Sequence, residues 1–116
     1  MGKHVRISVI LKETDIQRQI LDYLSQVGIF TRRNNSGAVK RGSTWVRYGH
    51  PGSPDIEGIL PDGKYLGIET KTDIGKLSTV QESFHMMVGS MNGVIFVARN
   101  LQNVIDKLIE LRYIRR

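Results

Sequence analysis

Asp55, Glu69 and Lys71 are the residues whose types and spacing can do chemistry together. They lie in one stretch, Gly52-Ser53-Pro54-Asp55-Ile56-Glu57-Gly58-Ile59-Leu60, then Pro61-Asp62-Gly63, then Lys64-Tyr65-Leu66-Gly67-Ile68-Glu69-Thr70-Lys71. Pro-Asp-Gly supplies turn geometry between two apolar-rich runs, which predicts an antiparallel hairpin. Side chains alternate along a strand, so Glu69 and Lys71 point one way while Ile68 and Thr70 point the other. Asp55 opens the first strand, and pairing across the hairpin brings its carboxylate beside Glu69. Two carboxylates and an ammonium then converge on one patch. Hard divalent cations take oxygen ligands, typically one or two carboxylates completed by water and phosphate, so this patch can hold magnesium or manganese. For Lys71 the alternative is a structural ion pair with Glu69, and in a metal-free state both can hold.

Other elements must position this patch. From Thr14 the apolar residues take a helical period, with Ile16, Ile20, Tyr23, Leu24 and Val27 on one face and Gly28 as the stop. Thr14 and Gln17 are spaced as a capping box. Ile29 to Arg33 reads as a strand and Asn34-Asn35-Ser36-Gly37 as a loop. After Lys71 comes a loop, then a helix opened by Ser78-Thr79-Val80-Gln81 with Val80, Phe84, Met87, Val88 and Met91 on its apolar, packing side. Ser-x-x-Gln is itself a capping box, which would account for Gln81. Gly93 to Ala98 is a continuous apolar run of the kind found in strands buried on both faces. A last helix follows from Asn100, with Leu101, Val104, Ile105 and Leu108 facing the core. Ahead of everything, Val5, Ile7 and Val9 alternate with His4, Arg6 and Ser8 as a possible extra strand.

Charge points to the partner. Lysine and arginine number 17 against 11 acids, a net charge of +6 on 116 residues, which favours a polyanion. From Arg32 to His50 the chain carries Arg32, Arg33, Lys40, Arg41 and Arg47 without one acid, interleaved with Trp45 and Tyr48. Such a cationic hairpin beside an acidic site suits phosphate-backbone contact. The two aromatics either stack or wedge against a nucleic acid or pack inward. His50, a loop histidine, stays outside the site. The chain is long enough for one domain, spanning 1–116, that buries roughly two-thirds of its extended surface. No apolar run reaches the length of a membrane span. The opening Met-Gly-Lys-His-Val-Arg lacks a signal-peptide core, an expectation of a cytoplasmic protein. Without cysteine there is no disulfide or thiolate site. No nucleotide-binding glycine loop or serine, cysteine or histidine triad is present.

Pro54-Asp55 followed by Glu69-Thr70-Lys71 resembles the motif of the PD-(D/E)XK nuclease superfamily. Gly-Ser-Pro-Asp-Ile with a downstream Gln81 is most similar to its virus-type replication-repair branch, VRR-NUC. Specificity comes from the order of leading helix, Pro-Asp strand, Glu-x-Lys strand and glutamine-bearing helix, which covers roughly residues 13 to 110. The resemblance implies an α/β, restriction-endonuclease-like core: a mixed central sheet flanked by helices in the order αβββαβα. It implies a Mg2+- or Mn2+-dependent DNA endonuclease in which Asp55, Glu69 and the Thr70 carbonyl hold the metal. Lys71 would act on the attacking water, and Glu13 and Gln81 would join the site. Glu13 reads equally as a first-turn acid favoured by the helix dipole. Stand-alone members of this size, found in phages and bacteria, resemble homodimeric Holliday junction resolvases acting in a bacterial or phage-infected cell. Pairing surfaces would come from the Val5-Ile7-Val9 arm and the last helix. The alternatives are a monomeric flap nuclease and a non-catalytic basic nucleic-acid-binding module.

Overall fold

The computed structural model describes residues 12–34, 37–72 and 74–116. Three helices and six strands follow in chain order: α1 (Glu13–Gln26), β1 (Phe30–Arg33), β2 (Gly37–Arg41), β3 (Thr44–Tyr48), β4 (Ile56–Ile59), β5 (Tyr65–Thr70), α2 (Thr79–Ser90), β6 (Val94–Ala98) and α3 (Leu101–Glu110). The main sheet has the order β1-β4-β5-β6. β1 to β5 run antiparallel through β4, and β6 lies parallel to β5 after a crossover through α2. The core is therefore the expected mixed sheet with helices packed on it. Its element order also matches once the cationic segment is set apart, because β2 and β3 form a two-stranded sheet of their own, inserted between β1 and β4. The alternating Val5-Ile7-Val9 segment lies outside the described residues.

Apolar spacing explains the core. Ile16, Ile20 and Leu24 recur at one helix turn and bury the inner face of α1 against Ile56, Leu66 and Ile68 of the hairpin and Val104 and Leu108 of α3. Gly28 ends α1 at φ 79°, and the Ile29 amide donates to the Leu24 carbonyl at 2.9 Å. Val27, expected on the buried face, sits at the helix end and is exposed. The Thr14–Gln17 capping box does not form: Lys12 is the N-cap residue without a side-chain cap, and Gln17 is buried. The α2 and α3 starts behave as read. Ser78 and Gln81 make a reciprocal capping box, and the Asn100 side chain accepts from the Asn103 amide.

Two burial expectations fail for one reason, position in the sheet. The Gly93–Ala98 run becomes the edge strand β6, whose first four residues are only half-buried, whereas β5 is the buried strand. On α2 only Val88 is buried; Met87 and Met91 are exposed, as are Val80 and Met86. A helix that packs on an edge strand has little sheet to cover it. Among the described residues no helix is long and apolar enough to cross a membrane.

Candidate active site

The hairpin places the acidic pair. Its register puts Ile56 opposite Ile68, so one residue further out Asp55 stands across from Glu69. Asp55 precedes the strand and is held by its neighbours on both sides. The Asn34 amide donates to the Asp55 carbonyl at 2.7 Å, and the Asn34 side-chain amide donates to the Pro54 carbonyl at 3.1 Å. Pro54 is buried over Gly67, where an added Cβ would come within 3.0 Å of the proline ring and of Ile95. Gly52, at φ 79°, lets the Gly-Ser-Pro-Asp loop meet the start of α2: an added Cβ would collide with the Val80 carbonyl.

Asp55 is aimed as firmly as its backbone. Its Oδ2 accepts from the Thr70 amide at 2.8 Å and from the Thr70 hydroxyl at 2.7 Å. The Gln17 side-chain amide donates to that hydroxyl at 2.9 Å. A relay thus runs from α1 through β5 to the carboxylate. Thr70, expected to point away from the acids, reaches Asp55 with its side chain because Asp55 closes over the strand end. Gln17, read as a capping-box partner, and Asn34, read as loop, were not expected at the site. Gln17 lies one helix turn from Glu13 and so on the same face, which was the available signal. Asn34 carried none beyond its loop composition.

Glu69 is 2% exposed, and its Oε2 has no hydrogen-bond partner among the described residues. Burial, then contact with the Asp55 carboxylate, pushes its carboxyl up to about 8, with Glu13 adding to the rise and Lys71 opposing it. Asp55 is thus the carboxylate in contact with Glu69, while Lys71 and Glu13 act on it through their charge. The ion pairs among the described residues lie elsewhere, and Lys71 makes none with Glu69. The Lys71 amide donates to the Ala98 carbonyl, tying the strand end to β6, and its side-chain stem runs past Gly75. No three acidic or histidine side chains among the described residues form a metal cage. Two facing carboxyl groups with an orphaned buried oxygen instead fit a cation that takes few protein ligands and completes its shell with water and phosphate.

The remaining site candidates separate. Gln81 Oε1 accepts from the Ser78 amide, so the capping role is filled. The His50 ring contacts Phe84 edge to face at 5.5 Å, packing the loop on α2. Arg32 stands opposite Glu57 and donates to its Oε1 from Nε at 3.2 Å and from Nη2 at 3.0 Å. The Tyr65 hydroxyl donates to the other Glu57 oxygen. Arg32 thus has a surface ion pair across the sheet, and Arg32, Arg33, Lys40 and Arg41 are all exposed. Arg47 lies in β3 opposite Ala38. Trp45 is 65% exposed, so it does not pack inward.

No family model and no curated protein sequence matches the chain. Among solved structures it is similar to one described as a VRR_NUC domain, with a TM-score of 0.60 over 84% of this chain and 94% of that one, at 24% identity. The chain thus has the fold of a VRR_NUC domain, the fold its Pro-Asp and Glu-x-Lys strands implied.

Proposed function

We propose that the chain is a metal-dependent endodeoxyribonuclease of the PD-(D/E)XK type. The observation that carries the reading is the pairing of Asp55 with a buried Glu69 whose Oε2 has no partner among the described residues, two residues before Lys71. Glu69 in that setting is costly unless a cation or a proton satisfies it. Asp55 and Glu69 would hold the metal with the Thr70 carbonyl as a third oxygen. When bound, Mg2+ or Mn2+ supplies a water of lowered pKa and neutralises charge developing on the phosphate.

The chain's own residues do the rest. The Gln17–Thr70–Asp55 relay fixes one carboxylate, so the site needs little reorganisation as the reaction proceeds. Lys71 Nζ would orient the water whose oxygen attacks phosphorus or, as the neutral amine, take its proton. The P–O bond to the leaving sugar oxygen breaks as the new one forms. Arg33 at the end of β1 and Lys40, Arg41 and Arg47 on the arm of β2 and β3 meet the backbone, and Arg32, exposed and paired with Glu57, lies in the same basic run. Glu13 acts on Glu69 through its charge.

The finer reading is a homodimer that nicks opposing strands of a Holliday junction, since one site cuts one strand and a two-fold pair supplies two. On the last helix Val104 and Leu108 are taken by the core, which leaves the half-buried Ile105 and Ile109 and the exposed Leu111 for such pairing. Exposed Met86, Met87 and Met91 on α2 offer further apolar surface. Incubation with labelled four-way junctions, flaps and linear duplex in Mg2+, beside light scattering, tests it. Paired junction nicks by a dimer are expected. Better flap cutting by a monomer would move the assignment to a flap nuclease.

A further inference from the structure

The arm formed by β2 and β3 carries more apolar surface than its folding explains. An isolated two-stranded hairpin is marginal in water, and side chains usually repay its ordering by packing on something. Here Val39, Val46 and Trp45 are exposed at 43%, 43% and 65%. The register pairs Lys40 with Trp45 and Val39 with Val46, so the indole and an ammonium share one face and the valines take the other. A two-residue turn, Gly42-Ser43 with Gly42 at φ 61°, joins the strands in the twisted form that hairpins favour. Between Arg32 and His50 there is no acid. The arm is also rooted at the acidic corner, through the Asn34 bonds to Pro54 and Asp55.

We infer that Trp45 is a base-stacking residue: its indole covers an unpaired base of branched or frayed DNA while Lys40 and Arg41 hold the adjoining phosphates. An exposed indole beside cations, with no acid to repel a polyanion, fits a ligand that presents flat π faces and phosphates at short spacing. Base faces are open in single strands, forks and junction centres and closed within a paired duplex. Trp45 stands three residues along the arm from the root pair Gly37↔Tyr48, roughly 10 Å, or about three nucleotide steps at 3.4 Å each. Stacking there would place a branch point at a set distance from the bond over Asp55. This inference deepens the DNA-cleaving reading by naming what selects the substrate, and rests on it for the choice of DNA.

Trp45 is the only tryptophan of the chain, so its emission reports this contact alone. The full chain, kept in EDTA so that cleavage plays no part, is titrated with oligothymidylate, a forked duplex and a blunt duplex of equal length. Strong quenching by the first two and little by the third is expected. Trp45→Ala should weaken fork binding about 10- to 100-fold, the range of one base–aromatic stack, while changing blunt-duplex binding less than about 2-fold. Trp45→Phe should keep most of the fork affinity. Equal losses on fork and blunt duplex, or emission unmoved by the fork, would overturn the inference. So would an emission shift with protein concentration in the absence of DNA, which would make the arm a contact between copies. A chain that stacks in EDTA yet cuts nothing in Mg2+ would refute the nuclease reading and leave this one standing.

Discussion

The acidic corner and the basic arm lie next to each other in the chain and are built on opposite principles. At the corner Asp55 and its supports are over-determined: Asp55 by two bonds from Thr70, Thr70 by Gln17, Pro54 by Gly67 and Asn34. On the arm every residue from Ala38 to Val46 is exposed, Val39, Lys40, Arg41, Trp45 and Val46 among them. Bond cleavage needs sub-ångström placement of oxygens, and rigid elements with supporting hydrogen bonds provide it. Holding a polyanion needs reach and charge, which tolerate loose ends. Substitutions at the corner should therefore act on chemistry and stability, and those on the arm on binding alone.

The largest effect belongs to the carboxylates. Asp55→Ala should remove detectable DNA cleavage while leaving DNA affinity unchanged or tighter, since a negative charge facing the phosphates is lost. A gel-shift series beside a cleavage assay separates the two. Lys71→Ala should come next, with a rate lower by on the order of 10²-fold and metal binding intact, the size expected of general acid–base help. Calorimetry showing no Mg2+ or Mn2+ binding by that variant would instead make Lys71 structural.

Stability should titrate at the corner. Glu69 holds its proton up to about 8 in the folded state against an ordinary 4.5, so the native state binds that proton more tightly than the unfolded chain. Metal-free stability is then full below about 4.5 and falls as pH rises toward about 8, by on the order of a few kcal/mol at about 1.4 kcal/mol per pH unit. Thermal melts in EDTA should show the decline, Glu69→Gln should flatten it, and added Mg2+ should raise the melting temperature more at pH 8 than at pH 5. Gln17→Ala removes a buried donor from Thr70 and should cost about 1–3 kcal/mol in urea unfolding.

The smallest effect on the fold is expected from Arg41→Ala, with stability changed by less than about 0.5 kcal/mol. It should weaken binding to all DNA sequences alike and reduce the slope of log affinity against log salt by about 0.9. A loss confined to one sequence would show that the arm reads bases through Arg41.

Much of the corner was legible because its information is local. Pro61-Asp62-Gly63 between two strands fixes the register, and the register alone puts Asp55 across from Glu69. Gly28, Ser78 and Asn100 announced helix ends that the structure has. What stayed hidden depends on contacts distant in sequence. Thr14 and Gln17 have capping-box spacing, yet Gln17 is taken by Thr70, 53 residues away. Arg32 belongs to a basic run, but the β1–β4 register delivers it to Glu57. Helical period showed that Met87 and Met91 share a face of α2; whether any element covers that face is settled by β6 lying at the sheet edge.

The most direct measurement is cleavage of an end-labelled four-way junction by the native chain and by Glu69→Gln, each in Mg2+ and in EDTA. The native chain should nick the junction in Mg2+ only, and Glu69→Gln should be silent in both while still binding the DNA. Cleavage by the native chain in EDTA, or undiminished cleavage by Glu69→Gln, would contradict a metal-dependent nuclease built on Asp55 and Glu69.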